Sequence, residues 1–329
     1  MNRSGLSAAK SEAIDNGPRR GEPDRADVAA SQMVEPRRRA HAAGRKQTAP
    51  QYSLAHLTVL GCPPPEMTYI AARAGYDFVS LRIIQMGLPG EANYALAENP
   101  EMLRQTKRAL ATTGLKVHDI ELARIYDDMH PTRYLPAMEV AAELGARAVL
   151  SSIWTTNRDY AAEKFAEVCD LAKPFGLTVD LEYVPIAGVK TLAGAVDVLR
   201  TVRRSNAGLM IDTHHFHRAH DKVEDLDGLP AEWFHFAHLC DAPSAMPADP
   251  EEMIRILREG RLYVGEGGID IAGILNRLPE MVYSIELPNL ARVREMGYAE
   301  HAFRCLETAK SYAAKKFKRT SETAYRLKN

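Results

Sequence analysis

Disulfides, membrane spans and excess charge are all missing from this 329-residue chain. Its four cysteines, Cys62, Cys169, Cys240 and Cys305, lie far apart and never form a CxxC pair. That excludes a disulfide framework and a thiolate zinc knuckle, and makes a reducing cytoplasm the expected compartment. No apolar run approaches the ~18 residues of a membrane helix, and no apolar signal core opens the chain. Lys and Arg number 42 against 43 Asp and Glu, a net charge of -1, so the basic excess of a dedicated nucleic-acid binder is missing. No GxGxxG follows the first predicted strand, which argues against a nucleotide cofactor.

Aromatic residues are absent from one region altogether. Residues 1–50 hold ten Lys/Arg and six Asp/Glu, with few large aliphatics. Such a stretch cannot bury enough apolar surface to offset the entropy of ordering it, so a disordered N-terminal arm is expected. Its basic run, Arg37-Arg38-Arg39 to Lys46, reads as solvated. Glu12, Asp15, Glu22, Asp24 and Asp27 disfavour an organelle transit peptide, a class poor in acids.

What is present from Tyr52 onward is an alternation. Strands are expected at Tyr52–Leu60, Asp77–Ile84, Lys116–Arg124, Ala148–Trp154, Leu177–Tyr183, Ala207–Asp212, Trp233–Leu239 and Val282–Leu287, with helices between them. Pro63–Gly75 opens on prolines and closes on glycine, as a helix does. The strands read as short apolar runs, which fits a parallel sheet buried on both faces. Eight βα units match an α/β fold of the (β/α)8 TIM-barrel type, which takes about 250 residues. The expected organisation is one domain over 51–316, preceded by the arm at 1–50 and followed by a basic tail at 317–329.

Four of these strands end in a residue able to hold a metal. They run Val179-Asp180-Leu181-Glu182, Leu209-Met210-Ile211-Asp212, Phe236-Ala237-His238 and Val282-Tyr283-Ser284-Ile285-Glu286. In a barrel the active site lies at the C-terminal ends of the strands. Glu182, Asp212, His238 and Glu286 would close the fifth to eighth strands, four neighbouring staves. Three carboxylates and an imidazole favour one divalent ion such as Mn²⁺, Mg²⁺ or Co²⁺, with Zn²⁺ also compatible.

These segments, with Thr213-His214-His215, Leu239-Cys240-Asp241 and Gly265-Glu266-Gly267-Gly268-Ile269-Asp270, resemble the sugar phosphate isomerase/epimerase family of the xylose isomerase-like TIM-barrel superfamily. The resemblance spans about residues 52–312. It implies that Glu182, Asp212, His238 and Glu286 are metal ligands, and that Glu182 and Glu286 also move a proton. It implies that His215 contacts a substrate oxygen. The expected function is metal-dependent isomerisation or epimerisation, by proton abstraction next to a carbonyl of a small polyhydroxy or keto substrate. A dehydratase or lyase of the inosose or dehydroshikimate type is the alternative, because His215 could protonate a leaving hydroxyl. A non-catalytic, metal-stabilised binding barrel is a second alternative. A small-molecule substrate is the expected partner, with no nucleic acid or membrane; homo-oligomers are usual in the family.

Arg82, Arg124 and Trp154 end the second, third and fourth strands and are the further substrate-binding candidates, since a guanidinium fork suits carboxylate or phosphate. Glu121 is the expected partner if either arginine is structural. His118 is expected in a core or hydrogen-bonded role, and alternation along the strand is expected to turn His235, three residues before His238, to the other face. After His238 the run Leu239-Cys240-Asp241-Ala242-Pro243-Ser244 lacks the arginine that ketose epimerases carry nearby, which argues against a simple free sugar. The repair-nuclease branch of the superfamily needs additional histidines on strands two and three. Ser80-Leu81-Arg82-Ile83-Ile84 has none.

Overall fold

Proline and glycine punctuate the chain where the barrel turns. The computed structural model describes residues 49–86 and 91–318. Helix α1 (Pro64–Ala74) begins on two prolines and ends where Gly75 turns left-handed, at φ 91°, its N–H donating to Ala71 O at 3.0 Å. Only glycine enters that region without a steric penalty. Asn99, Asn157, Thr191 and Asp249 accept a first-turn backbone N–H at the starts of α2 (Pro100–Thr113), α4 (Arg158–Ala172), α5 (Leu192–Val202) and α7 (Pro250–Glu259). Such caps are worth about 1 kcal/mol each.

Eight strands, β1 (Gln51–Ala55), β2 (Phe78–Arg82), β3 (Lys116–Ile125), β4 (Ala148–Ile153), β5 (Thr178–Glu182), β6 (Ala207–Asp212), β7 (Phe236–Leu239) and β8 (Val282–Ile285), pair in parallel and in chain order. β8 pairs with β1 to close the barrel. The remaining helices are α3 (Leu135–Glu143), α6 (Thr213–Arg218), α8 (Ile271–Leu275) and α9 (Leu290–Lys316), the last broken at Gly297.

Alternation along the strands builds two cores. Outward residues such as Val79, Leu81, Val179, Leu181, Leu209 and Ile211 pack under the helices. Inside, Phe78, Ala148, Leu150, Met210, Phe236 and Val282 fill the barrel. Burying each large side chain contributes roughly 1.5–3 kcal/mol. A polar group of Ser53, Ser80, Ser284 and Asp119 is also buried inside: Ser80 bonds Asp119, and its Oγ lies 2.8 Å from Ser53 Oγ and 3.2 Å from Ser284 Oγ. Inward positions two residues further along β2 and β8 hold Arg82 and Glu286.

The expected TIM barrel is the observed fold, with differences at its edges. The first strand stops at Ala55, and His56–Val59 forms a short 3-10 turn. There the His56 ring is committed: Nδ1 accepts the Arg82 N–H at 3.0 Å, and Nε2 lies 2.8 Å from Cys62 O. The seventh strand starts at Phe236, after a 3-10 turn over Ala231–Trp233. Within α9 the backbone leaves the helical region at Gly297, at φ 77° and ψ 169°, so the segment is two helices meeting at that glycine. The arm expected at 1–50, apart from its last two residues, the glycines at 87 and 90, and most of the basic tail lie outside the described residues.

Candidate metal and active site

Glu182, Asp212, His238 and Glu286 arrive at one point because they end four adjacent staves. Asp212 pairs in register with His238, and His238 with Ser284, two residues short of Glu286. One potential ligand atom from each of the four lies within 4.8 Å of all the others, and all four residues are buried. His238 Nδ1 is 3.4 Å from Glu182 Oε1, 3.4 Å from Glu286 Oε2 and 3.8 Å from Asp212 Oδ2.

Among the described residues, Glu182 Oε1 and both ring nitrogens of His238 have no hydrogen-bond partner. Leaving a buried polar atom unsatisfied costs about 1–3 kcal/mol, more for a charged group. A divalent cation would satisfy Glu182 Oε1 and the His238 Nδ1 that faces it, while Nε2, on the other edge of the ring, is outside its reach. Ligand bonds of about 2.1 Å set neighbouring donors roughly 3–3.4 Å apart, close to the separations around His238. Three carboxylates with one imidazole also suit such an ion chemically, so the residues fit a metal.

Asp212 is divided between two tasks. Its Oδ1 caps α6, accepting the N–H of His214 at 2.6 Å and of His215 at 3.2 Å. Its Oδ2 faces the cluster. The cap turns Thr213–Arg218, which carries His214, His215 and His217, into a helix that the sequence alone did not reveal, and this decides which ring enters the site. His215 Nε2 stands 3.6 Å from Glu182 Oε1 and 3.8 Å from Asp212 Oδ2. His214 is wholly buried beside it, its Nδ1 3.4 Å from His215 Nδ1. Burial, then Arg261 and His215, hold the His214 ring well below its usual pKa. His217 turns toward the Ser244 carbonyl at 3.1 Å.

No arginine follows His238 closely in the chain, yet one reaches the site. Arg261, 1 % exposed, donates from Nη1 to Asp212 Oδ2 at 2.7 Å and to Glu286 O at 3.0 Å, and its Nη2 lies 3.1 Å from Glu286 Oε2. The stretch Pro243–Arg261 contains α7 and delivers this side chain. Burial opposes ionisation of Asp212 and Glu286. Arg261 and His215 outweigh it at Asp212, and His238 and Arg261 outweigh it at Glu286, holding both carboxyls below their usual range. Burial would discharge His238, but Glu286 and Glu182 hold its ring well above the ordinary value.

The only sequence signal for Arg261 was its place just before Gly265-Glu266-Gly267-Gly268. That loop folds around the Asp241 carboxylate, which accepts N–H groups from Gly265 at 3.0 Å, Gly267 at 3.0 Å, Ile269 at 3.1 Å and Ala242 at 2.8 Å. A Cβ on Gly267 would sit 2.2 Å from Ala242 O, so the close approach requires glycine.

The other candidates separate. Arg82 reaches the rim of the cluster: its Nε and Nη2 donate to Glu121 Oε2 at 3.2 and 3.1 Å, and Nη2 lies 4.0 Å from Glu286 Oε1. Burial pushes the Glu121 carboxyl up to about 8 despite Arg82. Arg124 instead donates to Met86 O at 2.9 Å and sits 5.9 Å from the ring centres of both Tyr126 and Trp154. Trp154 donates to Ser152 Oγ at 2.9 Å. This stack is held by its own contacts and not by the four-residue cluster. His118 is buried edge-on to Phe78 and Phe236, and His235 Nδ1 lies 2.6 Å from Asp180 Oδ1.

The sequence profile of the xylose isomerase-like TIM barrel matches residues 69–309. The chain belongs to that family. Like its relatives, this family member is an enzyme. It is 27 % identical over 236 residues to an inosose isomerase of Bacillus velezensis, covering 66 % of this chain and 81 % of the relative. It is 25 % identical over 238 residues to a 3-dehydroshikimate dehydratase of Pseudomonas aeruginosa, covering 68 % of this chain but 35 % of that protein. A solved structure of the IolI protein with a bound zinc atom superposes with a TM-score of 0.66 at 21 % identity, covering 81 % of this chain and 99 % of that one. At that identity the superposition speaks for the fold.

Proposed function

We propose that this barrel is a divalent-metal-dependent isomerase of a small cyclic polyhydroxy ketone of the inosose class, working by proton transfer next to the carbonyl. The observation that carries the reading is the convergence of Glu182, Asp212, His238 and Glu286 within 4.8 Å, with buried donor atoms that nothing else satisfies. The inosose isomerase relative, most of whose length is matched, supports the substrate class.

In this reading Glu182, Asp212, His238 and Glu286 hold one Mn²⁺, Mg²⁺, Co²⁺ or Zn²⁺ ion. Bound there, the ion would supply Lewis-acid polarisation of the substrate carbonyl. Glu182 and Glu286 are the bases for the proton on the neighbouring carbon; a positioned base is worth ~10²–10⁴-fold. His215, 3.6 Å from Glu182, donates to a substrate oxygen as negative charge develops on it. Arg261 holds Asp212 and Glu286 in one orientation, which keeps the cluster assembled in a water-poor site. Arg82 binds a substrate oxygen at the rim, and Arg124 and Trp154 line the outer mouth.

A second reading, dehydration, has a specific observation behind it. The same His215 placement would let the ring protonate a leaving hydroxyl, and one relative is a dehydratase. One experiment separates the two: the metal-loaded protein is incubated with an inosose in deuterated water. Isomerisation incorporates deuterium without loss of water. Water loss would establish the dehydratase, and neither change would refute both readings.

A further inference from the structure

Glu121 has no place in the chemistry described so far, yet it is one of the most deeply buried carboxyls of the barrel. It lies opposite Arg82 in the register of β2 and β3, and it is 0 % exposed. It is therefore shielded from any substrate. One oxygen, Oε2, takes two N–H groups of the Arg82 guanidinium, and the other, Oε1, has no partner among the described residues. The backbone of Arg82 is held separately, by the His56 ring, against which Tyr94 stacks at 5.2 Å. A long and normally mobile side chain is thus clamped at both ends.

The clamp aims at one atom. Glu286 Oε2 already faces Arg261 Nη2 at 3.1 Å and His238 Nδ1 at 3.4 Å, whereas its Oε1 faces Arg82 Nη2 at 4.0 Å. That gap is too long for a hydrogen bond. A substrate oxygen that accepted from Arg82 would lie next to Glu286 Oε1. Strands β5–β8 contribute the four clustered residues, so this guanidinium approaches from the opposite wall.

We infer that Glu121 is a positioning residue: it fixes the Arg82 guanidinium so that Arg82 binds a hydroxyl or carbonyl oxygen of a polyhydroxy ketone beside Glu286. The inference rests on the proposed isomerase reading for the identity of the substrate. Glu121 acts only through Arg82, so its effect disappears when Arg82 is gone. Its role is that of an acceptor, which glutamine preserves and leucine removes.

The test compares wild type with Glu121→Leu, Glu121→Gln, Arg82→Met and the double variant Arg82→Met/Glu121→Leu, all metal-loaded. Three quantities are measured: kcat and KM for an inosose, calorimetric binding of an inositol as an unreactive polyol, and metal content. Glu121→Leu should raise KM and weaken inositol binding about tenfold or more, the size of one lost charge-assisted hydrogen bond. Metal content should stay the same, and Glu121→Gln should recover most of the loss. The double variant should match Arg82→Met alone. Should Glu121→Leu fail to fold, the comparison of Arg82→Met with the double variant decides, because removing both partners leaves no unpaired buried charge.

Unchanged KM and binding in Glu121→Leu, or a double variant weaker than Arg82→Met by a further tenfold, overturns the inference and leaves the isomerase reading standing. A wild type that binds inositol in this Arg82-dependent way but exchanges no deuterium into an inosose overturns the isomerase reading alone. A wild type that does neither overturns both.

Discussion

The two halves of the barrel mouth handle buried polar groups in opposite ways. On β5–β8, Glu182 Oε1 and His238 Nδ1 are buried without partners, and a cation would complete them. On β1–β4 most polar groups satisfy one another: His56 with Cys62 O and the Arg82 N–H, Arg82 with Glu121, Arg124 with Met86 O, Trp154 with Ser152. Polar burial alone does not mark a site. Incomplete polar burial gathered on several converging side chains does, because each such atom calls for a partner. Among the described residues, two atoms of β3 are exceptions on the first half: Asp119 Oδ2, and Glu121 Oε1, which sits next to Arg82, the arginine of that half that leans toward Glu286.

The largest expected effect falls on the incomplete half. Glu286→Gln should lower kcat/KM for an inosose by roughly 10²–10⁴-fold in metal-saturated protein, with unchanged circular dichroism. Near-normal turnover would remove Glu286 from the chemistry and weaken the contrast between the halves. Next comes Arg261→Met. It leaves Asp212 and Glu286 as buried carboxylates without their guanidinium, and breaking such a pair from one side costs about 3–5 kcal/mol. Denaturant unfolding in the presence of a chelator should show that loss, and added divalent metal should restore part of it. Equal stability with and without Arg261 would mean that the two carboxylates do not depend on it.

Smaller effects belong to the self-satisfied half and to the far end of the barrel. Arg124→Met should change kcat/KM by less than about threefold and stability by roughly 0.5–1 kcal/mol, the worth of a partly exposed cation–π contact. A loss above tenfold would bring the Arg124–Trp154 stack into the site and erase the division. The smallest effect is expected at His235. Its hydrogen bond to Asp180 raises the pKa of the ring, against burial. A raised folded-state pKa stabilises fully below the unfolded value, about 6.5, and the benefit fades as pH rises through the folded value. Wild type should therefore exceed His235→Gln in stability most at acidic pH, with the difference shrinking above neutrality. A difference that grew with pH would contradict the pairing.

Much of this was legible in the chain because local and global signals agree. β6 runs Ala207–Asp212, the same bounds as its apolar run, and Gly75 ends a helix where expected. The four strand-terminal residues stood out because a parallel barrel gathers its strand ends, so position in the strand implied position in space. What stayed hidden depended on contacts between distant segments. Arg261 reaches Asp212 only because α7 and the Asp241-bound glycine loop bring it back. The helix at Thr213–Arg218 depends on a cap by a residue that looked like a ligand and nothing more. Arg82, Arg124 and Trp154 looked equivalent as strand ends, and only their partners separate them.

The central claim is that the incomplete half is completed by one metal ion on which turnover depends. Metal content and inosose deuterium exchange should be measured on the same sample, before stripping with a chelator and after re-addition of Mn²⁺, Co²⁺, Mg²⁺ or Zn²⁺. The account predicts one divalent ion per chain, loss of exchange on stripping and recovery on re-addition. Full exchange in metal-free protein would contradict it.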